Sequence, residues 1–226
     1  MPSDSVLGRR YAAYLFDLDG TLVDSAPDIT AALNAALNAV DKPVVDEALT
    51  RHWVGHGSRV LIERALAHVD AANAVADERT MARAMDAFIA HYRGHIADAS
   101  RPYPGVADAL DALTQHGARL AVVTNKLSSL SEQLLLALGL RPYFAVVVGG
   151  DTLAKRKPDA APALYACRHM NVIASDALFV GDSTTDVETA RAAGCPVVCV
   201  RDGYNQGTPA EQLGADGVID SLIELL

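Results

Sequence analysis

Short, wholly apolar runs recur along this chain, and most of them stop abruptly at polar or glycine positions. Ala12 to Phe16 ends at Asp17, Leu120 to Val123 at Thr124-Asn125, and Leu178 to Val180 at Gly181-Asp182. Runs that are apolar at every position and bounded by turn residues predict strands buried on both faces, not strands with one wet side. Strands are therefore expected over Ala12–Phe16, Arg119–Thr124, Phe144–Val148, Ala177–Val180 and Pro196–Val200, with a last short one at Gly217–Ile219. Helical spacing fills the gaps at Val106–Gln115, Ser129–Leu138, Asp159–Met170 and Thr185–Ala193. Strand and helix in alternation imply an α/β class, a parallel sheet covered by helices on both faces.

One long stretch departs from this rhythm. From Ser25 to about Asp98 the chain is alanine-rich and shows only helical periodicity. Ile29, Leu33, Ala36, Leu37 and Val40 mark one apolar face, Val60, Leu61, Leu66 and Val69 a second, and Met81, Met85, Phe88, Ile89 and Tyr92 a third. Ser25-Ala26-Pro27-Asp28 predicts the start: Ser25 as N-cap, Pro27 in the first turn and Asp28 at the capping-box position. Tyr103-Pro104-Gly105 punctuates the return to alternation. The expected organisation is a core of residues 1–24 and 99–226, with residues 25–98 inserted as a helical unit.

Composition narrows the classes. At 226 residues and 50% hydrophobic, the chain is long enough for one sizeable core and a smaller second unit. The net charge of −9, with no long basic run, argues against a nucleic-acid partner, which needs cationic groups to displace counterions. An anionic small molecule is repelled by the same average charge, so its attraction must come from a local cation. Cys167, Cys195 and Cys199 form no CxxC pair, and their odd number suits a reducing compartment, the cytoplasm, without a disulfide framework. No run approaches the roughly 18 apolar residues of a membrane span, and Met1 to Arg10 is expected to be a loose lead-in.

The polar strand ends carry the chemistry. In an open parallel sheet, groups at the carboxyl ends of strands meet in one crevice. Asp17 and Asp19, at i and i+2 on an extended segment, face the same side. Two unpartnered anions about 4 Å apart repel by roughly 4 kcal/mol at an effective dielectric of about 20. A divalent cation removes that cost and is well served by oxygen ligands. Thr124 and Asn125 offer a hydroxyl and an amide, Lys157 a cation, and Asp182 and Asp186 further carboxylates. Taken singly, a threonine-asparagine turn, a surface lysine or a serine or aspartate helix cap is commonplace.

Taken in order, these segments resemble the four motifs of the haloacid dehalogenase superfamily: Asp17-Leu18-Asp19-Gly20-Thr21-Leu22, Thr124-Asn125, Lys157-Pro158 and Gly181-Asp182-Ser183-Thr184-Thr185-Asp186. The resemblance implies a Rossmann-like parallel sheet with an inserted α-helical cap domain. It implies Asp17 as nucleophile and Asp19 as acid/base, with Thr124, Asn125 and Lys157 binding phosphate. It implies Mg2+ held by Asp17, by Asp19 through its backbone carbonyl, and by Asp182, with Asp186 in support. The chemistry is coherent on its own terms, since a covalent route splits one hard displacement into two.

Arg51-His52-Trp53-Val54-Gly55-His56-Gly57-Ser58, Arg101 to Val106, and Gly203-Tyr204-Asn205-Gln206-Gly207 resemble phosphoglycolate phosphatases of the same superfamily. That likeness implies a small phosphorylated carboxylate as substrate, with His52, Gly55, His56 and Gly57 selecting it. His56 stands where those relatives often carry asparagine. A sugar phosphate as substrate, a phosphomutase, and a catalytically silent binding protein are the alternatives. Oligomeric state is not legible.

Overall fold

The computed structural model describes residues 6–70 and 77–226; Met1 to Ser5, part of the expected lead-in, lie outside the described residues. At its centre is β1 (Ala13–Phe16), flanked on both sides by parallel strands. On one side lie β4 (Arg119–Val123) and then β5 (Phe144–Val148); on the other lie β6 (Ala177–Gly181), β7 (Val197–Val200) and β8 (Gly217–Ile219). Register places Tyr14 beside both Leu120 and Leu178, and Phe16 beside both Val122 and Val180.

The pleat sorts these residues to two faces. Tyr14, Phe16, Leu120, Val122, Leu178 and Val180 join one apolar cluster. Ala13, Leu15, Ala121, Val123, Ala177 and Phe179 join another. Helices α5 (Val106–Gln115) and α6 (Ser128–Ala137) cover the first face; α7 (Ala161–His169) and α8 (Thr184–Ala193) cover the second. Both faces of the central strands are thus dry, which is why their sequences are apolar throughout rather than alternating.

The insertion holds α1 (Ala26–Ala39), α2 (Glu47–Trp53), α3 (Ser58–Val69) and α4 (Glu78–Gly94). Leu33, Leu37, Ile62, Phe88 and Tyr92 are buried in the same cluster as the α5–α6 face of the sheet, so the insertion and that face share one core. A two-stranded antiparallel ribbon, β2 (Val23–Asp24) with β3 (Arg101–Pro102), joins it to the sheet, a feature not expected from sequence. The strands are too short to show a periodicity.

The capping box expected at α1 does not form. Ser25 is the N-cap residue, but its hydroxyl donates to Asp19 Oδ1 at 2.6 Å instead of serving the helix. The Asp28 carboxylate accepts from the backbone N–H of Ala99 and of Ser100 and from the Ser100 hydroxyl, tying the start of the insertion to its end. The tertiary partners are charged or buried and outcompete a local cap. Among the described residues no helix is long and apolar enough to cross a membrane. Cys167, Cys195 and Cys199 are free and buried.

Candidate active site

The chain passes from β5 back across β1 to β6, so the loops after β1 and β6 leave the sheet in opposite directions and open a crevice. Asp17 opens the loop after β1. Its N–H donates to Val180 O at 2.9 Å, which extends the β1–β6 ladder one residue and fixes the carboxylate at the strand end. The chain then folds back sharply, with Gly20 N–H on Val23 O and the N–H groups of Leu22 and Val23 on Leu18 O. Gly20 has φ +87°, and a Cβ there would stand 2.3 Å from Asp182 Oδ2. Glycine therefore answers both the left-handed backbone and the closeness of the carboxylate.

Asp17, Asp182 and Asp186 are all buried, and each offers a carboxylate oxygen within 4.8 Å of the others. Lys157, 3% exposed, enters from the loop after β5; its Nζ stands 2.7 Å from Asp186 Oδ1 and 2.9 Å from Asp17 Oδ1. The contact to Asp186 is a hydrogen bond. The contact to Asp17 has the distance but not the direction of one, and Asp17 Oδ1 is left buried without a hydrogen-bond partner. Asp186 is better supplied, its other oxygen accepting from the Ser183 N–H and hydroxyl. Asp182 accepts from the Thr21 hydroxyl and the Tyr204 N–H.

One lysine cannot balance three carboxylates. Burial, only partly offset by Lys157, pushes the Asp17 carboxyl up to about 6, with Asp186 and Asp19 adding to the rise. Burial and the charges of Asp186 and Asp17 raise Asp182 as well. A buried carboxylate oxygen with an ion pair but no hydrogen bond, an all-oxygen donor set and a deficit of positive charge together fit a divalent metal ion.

Asp19 turns the other way, toward a second buried lysine. Lys126 Nζ donates to Asp19 Oδ1 at 2.9 Å and to the Tyr92 hydroxyl at 2.8 Å. Burial alone would lower this ammonium, but Asp19 and Tyr92 reverse the effect and leave it above the ordinary lysine value. Asp17, Asp19, Thr124, Asn125 and Lys126 line one wall of a small cavity. Ile29, Val54, Leu61, Phe88 and Tyr92, from the insertion, line the other.

The motif residues Asp17, Asp19, Thr124, Asn125, Lys157, Asp182 and Asp186 are thus brought to one crevice. The Asn125 amide is spent on Gly55 O at 3.0 Å and Lys157 O at 3.2 Å, holding the insertion's loop against the sheet. Gly55 and Gly57 line the cavity, whereas His52 and His56 do not. His52 is exposed, and His56 Nε2 meets the Gln206 amide nitrogen at 3.0 Å. Burial and then the nearby Arg64 lower the His56 imidazole, keeping it neutral at pH 7. Tyr204 pins the join between sheet and insertion: its hydroxyl accepts from Ser25 N and Ala26 N and donates to Asp24.

Sequence reasoning missed Lys126, Tyr92 and the role of Ser25. Tyr92 sits at core spacing on its helix, and Ser25 reads as a helix cap. The one signal for Lys126 was its place directly after Thr124-Asn125 at a strand end.

Fold and site define an α/β protein with a cation-seeking carboxylate cluster at its topological switch point. The profile of the family described as haloacid dehalogenase-like hydrolase matches residues 14–200. The phosphoglycolate phosphatase of Colwellia psychrerythraea is 41% identical over 212 residues, 94% of each chain. A crystal structure of a predicted phosphoglycolate phosphatase from Haemophilus somnus superposes with a TM-score of 0.91 at 36% identity, covering 96% of this chain and 97% of that one. CbbY from Rhodobacter sphaeroides, in complex with phosphate, gives 0.79 at 26% identity, covering 95% and 96%. The chain belongs to the haloacid dehalogenase-like hydrolase family and is a phosphoric monoester hydrolase within it.

Proposed function

We propose that this protein is a magnesium-dependent phosphatase that hydrolyses 2-phosphoglycolate to glycolate and phosphate in the cytoplasm. The observation that carries the reading is the convergence of Asp17, Asp182, Asp186 and Lys157 at the switch point, with Asp19 opening onto the same cavity. The substrate rests on relatives bearing that name, such as the Colwellia protein.

A carboxylate oxygen of Asp17 attacks phosphorus, and the bond to the glycolate oxygen breaks. Asp19 gives that oxygen its proton as it leaves. Asp19 then takes a proton from water, which attacks the phosphorus of the aspartyl-phosphate and returns Asp17 to its starting state. Lys157, the Thr124 hydroxyl and the donors around Asn125 neutralise and orient the transferring phosphoryl group. Asp17, the Asp19 backbone carbonyl and Asp182 would hold Mg2+, with Asp186 in support; bound there, the ion neutralises phosphate charge and keeps Asp17 ionised. Residues 25–98 act as a cap over the core of residues 1–24 and 99–226, excluding water from the reaction.

Phosphate release from 2-phosphoglycolate, several sugar phosphates and a generic aryl phosphate tests this, with magnesium and with a chelator. A kcat/KM on 2-phosphoglycolate orders of magnitude above the others, lost on chelation, is expected. Highest activity on a sugar phosphate overturns the substrate but not the chemistry.

A further inference from the structure

Lys126 is the only cation among the described residues lining the cavity. It is 8% exposed, and its surroundings beyond Asp19, Thr124 and Tyr92 are largely apolar: Ile29, Phe88, Leu127 and Leu130 line the same space. A buried ammonium in such a setting is costly unless it has a counter-charge. Here the counter-charge is Asp19, whose two oxygens lie 2.9 and 3.2 Å from Nζ. Tyr92, reaching across from α4, holds the ammonium in place from the insertion side.

We infer that Lys126, held by Tyr92, is the receptor for the carboxylate of the substrate, and so the residue that selects a phosphorylated carboxylic acid over a neutral phosphate ester. This rests on the reading given under Proposed function. The leaving oxygen of the substrate must lie against Asp19 to receive its proton. In 2-phosphoglycolate the carboxyl carbon is two bonds from that oxygen. Any carboxylate so close to Asp19 falls within reach of an ammonium already in contact with Asp19. Charge balance points the same way: an Asp19 that carries a proton to the leaving oxygen no longer neutralises Lys126, and a carboxylate on the substrate restores the pair. A neutral tail leaves the ammonium buried without a counter-charge. A site built around a buried polar partner rejects the analogue that lacks it more strongly than an apolar pocket does.

The test compares 2-phosphoglycolate with 2-hydroxyethyl phosphate, which has the same length and an alkoxide leaving group but no carboxylate. Both are assayed with magnesium on the wild type, Lys126→Met and Tyr92→Phe. The wild type is expected to favour 2-phosphoglycolate strongly. In Lys126→Met both substrates slow, because Asp19 loses a partner, but the preference itself collapses by roughly 100-fold. Tyr92→Phe, which keeps the ring and removes only the hydroxyl, moves the preference the same way by a smaller factor, and decides the matter if Lys126→Met does not fold. A parallel fall on both substrates, with the wild-type preference intact in both variants, overturns the inference: Lys126 then only positions Asp19, and the phosphatase reading stands. A wild type that hydrolyses 2-hydroxyethyl phosphate as well as 2-phosphoglycolate removes the substrate reading and the carboxylate receptor with it.

Discussion

Two buried lysines meet the carboxylates of the crevice, and their surroundings differ. On the sheet side, Lys157 stands among Asp17 and Asp186 in a cluster still short of positive charge. Lys126, at the edge where the sheet meets the insertion, is matched by one carboxylate and one tyrosine hydroxyl and faces mostly apolar residues across the cavity. The first arrangement leaves negative charge unbalanced, whereas the second is balanced at rest. In the mechanism proposed above, bond making belongs to the first and choice among substrates to the second, at the seam where the insertion meets the sheet.

The sharpest way to break this contrast is Asp17→Asn, expected to lower turnover by at least about 10⁴-fold on every substrate. The same change should raise the melting temperature of the metal-free protein at neutral pH. The Asp17 carboxyl stands at about 6, above its ordinary value, so its ionisation opposes folding as pH rises from about 4 to about 6, and asparagine removes that penalty. Retained turnover would sink the nucleophile assignment. Lys157→Met comes next, with about 10²- to 10³-fold lower kcat on acidic and neutral esters alike. It should also cost roughly 3–5 kcal/mol in urea unfolding, because Asp17 and Asp186 lose their counter-charge. A selective loss on carboxylate substrates would mean that the two lysines had been assigned the wrong way round.

Smaller effects sharpen the seam. Tyr204→Phe leaves the N–H groups of Ser25 and Ala26 without their acceptor, at a cost of about 1–3 kcal/mol in chemical denaturation. The smallest effect concerns His56, which faces Gln206, Arg64, Arg156 and, at longer range, Asp186. Its folded-state value lies below that of the unfolded chain, so its contribution is whole above about pH 6.5 and is lost as pH falls toward the folded value. The melting temperature of the wild type should therefore drop more between pH 7 and pH 5 than that of His56→Gln. Parallel curves would remove His56 from the seam.

Legibility in the sequence follows the same division. Strand ends that stop at a carboxylate announce themselves, because Asp17 and Asp182 put charge at the rim of a dry core, where a carboxylate is costly without a partner. The parallel sheet followed from strands too apolar to have a wet face. The seam was harder to read because its residues serve two purposes. Tyr92 packs as a core residue and accepts from Lys126 at its tip; Ser25 begins a helix but spends its hydroxyl on Asp19. Asp28 likewise looks local, yet it binds the chain at Ala99 and Ser100. Spacing along a sequence reports which face a residue occupies, not which distant group its polar end will meet.

The central place of β1 also bears on how the molecule comes into being. The strand that ends at Asp17 is made well before its neighbours in the sheet, which begin at Arg119 and Ala177. Thr21 and its partner Asp182 are 161 positions apart. At roughly 5–20 residues per second, a ribosome takes about 8 to 30 s to bridge that gap. The four helices of the insertion are all synthesised within it. The nascent chain thus carries β1 unpaired until β4 is made, and paired on one edge only until β6 is made, with the helical insertion already synthesised before either neighbour. The carboxylate cluster of Asp17, Asp182 and Asp186 is completed late and at once, when β6 docks, while the strand waiting for it remains the segment most in need of shelter.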